Sequence, residues 1–404
     1  MVKRIFMVAG LALWLSLVLS PVSTQAQSGR QVWAYFFGWW LGDSWGNPAL
    51  SDYPLSPYDQ RDGGVLANQI GQAQSAGIDA FIMSYFGPKD GNLTHQVFNM
   101  LLDIAAGSGF KVGASIDMHE AGYNSNLGEL SDSINYVVND RANHPAYLRY
   151  NGKPVIFFWN QTRYSVGDWQ NLRAALDPNR NTIWVAEGTN TAYLSAFDGL
   201  YLFNTAWAGN PGATARQWQS RVQNNGGTFY APTVLPGWDE TAIAAATGRR
   251  NPTSPRARND GQFLTNSWNG AVSANTDVIL VVSWNEYFEN SHIEPSQKYG
   301  TQSLDVIRGL IAAWKSGAPA GGGQSASAPP VSASGVIYVL NAEVNFRDTP
   351  NGNKLGTIPA GTQLEVTGRN ADGSWAQVNY NGANGWVTAS FGSFNGDFMS
   401  VAVR

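Results

Sequence analysis

The chain has 404 residues, a formal net charge of -4 and no cysteine. Charged residues make up only 13%, against about 25% in ordinary globular domains, so there is no material for the basic stripe a nucleic-acid partner requires. Without cysteine, disulfides, thiolate metal sites and lipid attachment through an N-terminal Cys are excluded, and stability has to come from a large core. Aromatic residues reach 12%, including 16 Trp. Exposed Trp and Tyr faces suit sugar rings, whose C–H faces pack on π surfaces; the ordinary alternative is that these rings fill the core.

The first 26 residues predict a signal peptide. Lys3 and Arg4 give a positive start, Ile5 to Leu19 an apolar stretch, and Ser23-Thr24-Gln25-Ala26 the small residues of a cleavage site after Ala26. An uncleaved anchor is the alternative. No second run of spanning length follows, so the expectation is a secreted, extracellular or surface-associated protein with no membrane span after cleavage.

From about residue 31 to 316, strand-like and helix-like segments alternate. Runs rich in β-branched and aromatic residues predict strands at Val32–Phe37, Ala80–Tyr85, Lys111–Ile116, Pro154–Trp159, Thr182–Ala186, Gly199–Phe203, Thr228–Val234 and Val278–Trp284. Helical patterns fall at Val65–Ala76, Gln96–Ala106, Leu130–Tyr147, Trp169–Leu176, Ala213–Val222, Phe263–Ala274 and Leu304–Trp314. Eight strands with intervening helices predict an α/β fold, a (β/α)8 TIM barrel. A doubly wound open sheet is the alternative, but the first strand is followed by the aromatic Gly38-Trp39-Trp40-Leu41-Gly42-Asp43 and not by a Gly-rich nucleotide fingerprint.

A barrel places function where its strands end and its βα-loops begin. Those positions hold Trp39, Trp40 and Asp43; Tyr85; Asp117, His119 and Glu120; Asn160; Glu187; Asn204 and Trp207; Trp238 and Asp239; and Asn285, Glu286 and Glu289. The set is carboxylates, amides and aromatics, with no metal-ligand spacing and no Gly-x-Ser-x-Gly elbow. No metal or other cofactor is expected, and paired carboxylates among aromatics are what glycosidic cleavage requires. The densest polar segment follows the apolar run Val278 to Val282: Ser283-Trp284-Asn285-Glu286-Tyr287-Phe288-Glu289. If the chain turns helically there, Glu286 and Glu289 face one space, and two carboxylates so placed raise one pKa and prepare a general acid. A capping Glu286 and a solvated Glu289 are the structural alternative.

Ser283 to Pro295 resembles the S-[WF]-N-E-W-x-E-G-T-x-I-E-P signature of family 99 glycoside hydrolases, the endo-α-mannosidases and endo-α-mannanases. Weaker blocks follow in the same order: Ala34 to Trp39, Asn151 to Ile156, Phe197 to Tyr201, Ala231 to Asp239, and the helix ending at Trp268. The resemblance implies a polysaccharide substrate. It implies Glu289 as general acid/base, Glu286 as the base that draws the proton from the sugar 2-hydroxyl, and Asp117 as a sugar-binding residue. Trp39, Trp40, Tyr85, Asn285, Trp238 and Asp239 join Asp117 as expected substrate contacts. The chain departs from the pattern at Tyr287-Phe288 for Trp and a usual His, at Asn290-Ser291 for Gly-Thr, at Asp117 for Glu, and at Met118 for Pro. His292 and Glu294 read as structural, Glu294 because the residue before Pro295 is conformationally restricted.

Residues 317–335 are Gly, Ala, Ser, Pro, Gln and Val without charge or periodicity, a tether between two domains. Residues 336–404 read as short strands separated by turns. Val344 to Pro350, Leu355 to Thr362, Trp375 to Val378 and Gly385-Trp386-Val387 resemble the bacterial SH3-like fold, which implies a small all-β barrel and binding to a bacterial cell wall; a plain spacer is the alternative. A monomer is expected. Two other functions stay open: cleavage of a different α-glycan or wall polysaccharide, and non-catalytic polysaccharide binding on a degenerate barrel.

Overall fold

The computed structural model describes residues 29–119, 122–248, 254–317, 336–340, 343–350, 352–359, 361–380 and 383–404. The expected signal peptide at 1–26, Glu120 and tether residues 318–335 lie outside the described residues.

Eight parallel strands form the expected barrel. They are Gln31–Phe37, Ala80–Tyr85, Lys111–Asp117, Lys153–Trp159, Ile183–Glu187, Gly199–Tyr201, Thr233–Val234 and Val278–Val281. Hydrogen bonding runs in the order sixth, fifth, fourth, third, second, first, eighth, seventh, and a two-residue ribbon, Arg149–Tyr150, edges the fourth strand. A parallel bridge between Gly199 and Phe229 ties the sixth strand to the chain entering the seventh, so the barrel is nearly closed.

Strand alternation sorts side chains into two layers. Trp33, Tyr35, Phe37, Ile82, Phe157, Val185, Tyr201 and Leu280 fill the interior, where Trp33 stacks on Phe229 at 5.8 Å and 10°. Their neighbours Val32, Ala34, Phe36, Phe81, Met83 and Tyr85 face outward against helical residues such as Leu66, Ile70, Phe98, Leu101, Ile307 and Ile311. The helices follow as expected, with side-chain caps at Asp62, Asn92, Asn126, Ser165 and Asn210.

The two largest boundary differences each have a proline nearby. The helix read as Leu130–Tyr147 ends at Asn139; a short turn at Arg141–Asn143 follows, and His144, preceding Pro145, is extended at φ -66° and ψ 137°, so the helix does not resume and Tyr147 bridges Val112. The seventh strand begins at Thr233 and not at Thr228, since Pro232 has no N–H to donate, although its carbonyl still accepts from Leu280 N at 3.0 Å.

The second domain is an antiparallel sheet of seven strands, Ile337–Leu340, Val344–Arg347, Lys354–Ile358, Gln363–Arg369, Trp375–Tyr380, Ala383–Thr388 and Gly392–Asn395. Its own core comprises Tyr338, Leu340, Val344, Phe346, Ile358, Leu364, Val366, Ala376, Val378 and Val387. Among the described residues, no helix is long and apolar enough to cross a membrane.

The bridge at Gly199 leaves no room for a side chain: a Cβ there would lie 2.1 Å from the Phe229 carbonyl oxygen, which is backbone and cannot rotate away. Gly199→Ala should therefore strain the barrel seam, and overpacking of this kind typically costs about 1–3 kcal/mol. Thermal melting should show a clear fall in Tm for Gly199→Ala and none for the control Gly209→Ala, whose Cβ would meet nothing within 4 Å. Equal melting of the two variants would show that the seam is not constrained.

Candidate active site

The eighth strand ends at Val281, and the chain from Ser283 to Glu294 folds back on itself at the barrel mouth. Ser283 N donates to Ser291 O at 2.8 Å, Ile293 N to Ser283 O at 2.9 Å, and Glu294 N to Trp284 O at 2.9 Å. Its tip is a turn from Tyr287 to Asn290, closed by Asn290 N to Tyr287 O at 3.3 Å, and not the helical turn that spacing suggested. Asn290 sits at φ 55°. Asn is one of the few non-Gly residues that tolerates this left-handed region, which accounts for an Asn where the family pattern has Gly.

Glu286 is buried at the foot of this turn. Its N–H donates to Ser283 Oγ, and its Oε1 accepts from Phe288 N, both at 2.8 Å. Burial pushes its carboxyl up to about 8, only partly offset by the Phe288 N–H. Glu289 lies on the turn itself, half-buried, and its carbonyl accepts from Asp239 N at 2.8 Å, which ties the turn to the loop after the seventh strand.

Behind the turn lies a buried polar layer. Tyr287 stacks on His292 at 4.2 Å, and His292 Nε2 meets Asp52 Oδ2 at 2.9 Å. Glu294 accepts from Gln69 Nε2 at 2.6 Å and from the Tyr58 and Tyr287 hydroxyls, each at 2.9 Å. Both residues therefore hold the loop from within.

The expected substrate contacts separate on inspection. Trp39 is half-buried at the mouth, stacked on Phe86 at 5.9 Å and 12°, and Phe86 stacks in turn on Tyr123. Asp117 ends the third strand beside the lumen, where Ser84 Oγ donates to its Oδ2 at 2.9 Å and His119 N to its Oδ1 at 2.8 Å. Trp40 is buried under the turn, its ring 5.1 Å from Phe288 and its Nε1 donating to Asn285 O, so it props the site. Trp238 is buried against Phe203, and Asp239 accepts from Thr241 N and Oγ1 at the start of the helix Thr241–Thr247.

Two expected contacts are corrected by the structure. Tyr85 is fully buried in the outer layer against Phe98, with its hydroxyl on His95 Nδ1 at 3.0 Å. Strand parity is the reason: Ser84, one residue earlier, is the one that faces Asp117. Asn285 is fully buried and spends its amide on the backbone of Phe37, accepting from its N–H at 2.8 Å and donating to its carbonyl at 2.9 Å.

Sequence reading missed the hydroxyl layer inside the mouth. Tyr35 and Tyr201 meet at 2.7 Å, and Tyr35 also bonds Ser115. The signal was present: each sits at an inward-facing position two residues or fewer from the C-terminal end of its strand. Beside Glu289 a groove of about 390 Å³ is lined by Trp238, Asp239, Arg256, Arg258, Asn290 and Tyr299.

A nearly closed parallel barrel whose strand ends gather carboxyls, hydroxyls and aromatic rings at one mouth has the architecture of a barrel enzyme. The chain belongs to glycosyl hydrolase family 99, whose family model matches residues 47–306, and a bacterial SH3 domain model matches residues 342–393. It is similar to glycoprotein endo-alpha-1,2-mannosidase of Xenopus laevis, with 26% identity over 60% of this chain and 58% of that protein, and to a mutanase of Penicillium rubens, with 28% identity over 69% and 61%. The chain thus spans less than two thirds of the length of these relatives. In fold it is similar to the endo-alpha-mannosidase of Bacteroides thetaiotaomicron, at 23% identity and a TM-score of 0.61 over 71% of this chain and 96% of the other.

The raised carboxyl of Glu286 has a consequence for stability. In the native chain it keeps its proton up to about 8, whereas an ordinary Glu loses it near 4.5. Its contribution is therefore fully present below about 4.5 and is lost as pH rises through about 8. Glu286→Gln, which can still accept the Phe288 N–H, removes that loss. The Tm of Glu286→Gln minus that of the wild type should increase steadily from pH 5 to pH 8.5; parallel curves would show that the carboxyl does not titrate in this window.

Proposed function

We propose that this chain is a secreted glycoside hydrolase that cleaves internal α-mannoside-type linkages with retention, using Glu286 and Glu289. The observation that carries this reading is a single turn at the barrel mouth bearing two carboxyls of unlike burial, Glu286 beneath it and Glu289 on it. Family membership supports the reaction class, and the sequence of the N-terminal residues supports secretion.

In the proposed reaction the ionised form of Glu286, populated as pH approaches its value of about 8, takes the proton of the sugar 2-hydroxyl. Burial suits it to this task, because a desolvated carboxylate binds a proton more strongly, and a general base works best with a pKa near the working pH. The 2-oxygen forms a bond to the anomeric carbon as the glycosidic bond breaks, and Glu289 protonates the departing oxygen. Glu289 then removes a proton from water as that water attacks the anomeric carbon, the bond to the 2-oxygen breaks, and Glu286 returns its proton there. Two inversions give retention with no covalent bond to the protein.

A second reading, cleavage of a different α-glycan or a wall polysaccharide, is favoured by Phe288 in place of a usual His beside Glu289 and by the bacterial SH3 domain. That domain, joined through the stretch 317–335, would hold the enzyme on bacterial walls and raise its local concentration there.

A panel of α-mannans, α-glucans and wall fractions, with products resolved by size, tests the substrate. On the glycan that is cleaved, Glu286→Gln and Glu289→Gln should each lower kcat by about 10²–10⁴-fold with the fold retained. On a glycosyl fluoride, whose leaving group needs little protonation, Glu289→Gln should recover much of its rate while Glu286→Gln stays slow. Near-normal rates for both variants on the glycan would move the chemistry elsewhere in the barrel.

Cutting between residues 317 and 335 should leave activity on soluble glycan intact and weaken retention in a wall-pelleting assay. Loss of activity on soluble glycan would show that the two domains act as one unit.

A further inference from the structure

A carboxyl at the mouth, on the fifth strand, takes no part in the reaction proposed above. Glu187 is the last residue of the fifth strand. Trp184 and Ala186 of that strand face the helices and Val185 faces the interior, so Glu187 also points inward. There it acts electrostatically on the hydroxyls of both Tyr35 and Tyr201, as Asp117 does from the third strand. The two carboxyls differ in how they are held. Asp117 is buried and accepts from Ser84 Oγ and His119 N, whereas Glu187 is half-buried and accepts the N–H of Phe203. Trp159 and Phe203, whose rings lie 4.8 Å apart, belong to the same inner layer.

We propose that Glu187 is a specificity-determining residue of the sugar-binding mouth, hydrogen-bonded to a hydroxyl of the sugar held between Glu286, Glu289 and the Tyr35–Tyr201 pair. The inference rests on the glycosidase reading above. Burial pushes the Glu187 carboxyl up to about 7, so in acid it carries a proton to donate to a sugar oxygen while its other oxygen accepts from Phe203. Above that range it ionises and loses its donor. A carboxyl serving only the fold would instead be saturated from the protein side, as Glu294 is by three donors.

The full chain is tested on whichever glycan of the panel the wild type cleaves. Glu187→Leu should raise KM about tenfold with a smaller change in kcat, the size expected for one buried hydrogen bond. Glu187→Gln, whose amide keeps both a donor and an acceptor, should restore KM to within about threefold. In a Glu286→Gln/Glu289→Gln background, where neither of those carboxyls titrates, calorimetric affinity for that glycan should fall between pH 6 and pH 8, and the further change Glu187→Gln should flatten that fall; this arm stands even where Glu187→Leu fails to fold. If Glu286→Gln and Glu289→Gln are inactive but Glu187→Leu keeps the wild-type KM, or the pH dependence of binding survives Glu187→Gln, this inference alone is overturned. If no glycan is cleaved, or the Glu286 and Glu289 variants keep their rates, the glycosidase reading falls and this inference with it.

Discussion

The two hydrogen bonds between the Asn285 amide and the backbone of Phe37 join the end of the eighth strand to the end of the first, just past the point where their ladder stops. Both partners are buried, so removing the amide would strand an N–H and a carbonyl, each costing about 1–3 kcal/mol. Everything at the mouth is referenced to this joint. It fixes the backbone immediately before Glu286, and Trp40 Nε1 binds the carbonyl of the same Asn285, so the aromatic props of the first βα-loop are positioned by it too. Trp284 N donating to Tyr35 O extends the joint one residue inward, toward the hydroxyl layer. A residue that looks from sequence like a ligand for sugar is thus a fastener that sets the backbone beside it.

Burial without cations is the second organising feature. Glu187, Glu286 and Glu294 all have carboxyls pushed upward, and in each case desolvation is the dominant cause. What separates them is how much of their hydrogen-bonding capacity the protein already uses. Glu294 receives Gln69, Tyr58 and Tyr287 and is locked. Glu286 receives the Phe288 N–H, and Glu187 the Phe203 N–H. Raised proton affinity is therefore common to all three, and the number of protein donors each carboxyl already receives is what differs among them.

Strand order, barrel closure and the position of the mouth were legible because apolar runs of strand length alternate with helical periodicity, and a barrel assigns function to strand ends. The two largest boundary differences lie near Pro145 and at Pro232, where the hydrophobic pattern runs on and the backbone does not. Side-chain direction was harder to read. In strands buried on both faces polarity does not mark the inside, so Tyr85 looked like a mouth residue while Ser84 held that place, and Tyr35 and Tyr201 passed as core. Asn285 was misread for a different reason: sequence cannot show that a backbone partner, Phe37, lies 248 positions away and needs both ends of an amide.

The departures from the family pattern now divide by physical kind. Asn290 in place of Gly keeps the left-handed turn that carries Glu289, so it preserves the backbone on which the chemistry depends. Asp117 in place of Glu shortens the reach by one methylene but is fully engaged by Ser84 and the His119 N–H, so its orientation is fixed by the protein in advance of any sugar. Phe288 differs from both. It replaces a ring that can hydrogen-bond with one that cannot, and it packs at a tilt against Trp40, at 5.1 Å and 33°. One of the two residues between the glutamates therefore contributes an apolar surface where a polar one is usual. Under the proposed reaction, a change of that kind leaves proton transfer by Glu286 and Glu289 available and bears on the sugar that fits beside them. On that reading, substrate identity, more than mechanism, is where this chain departs from the family pattern.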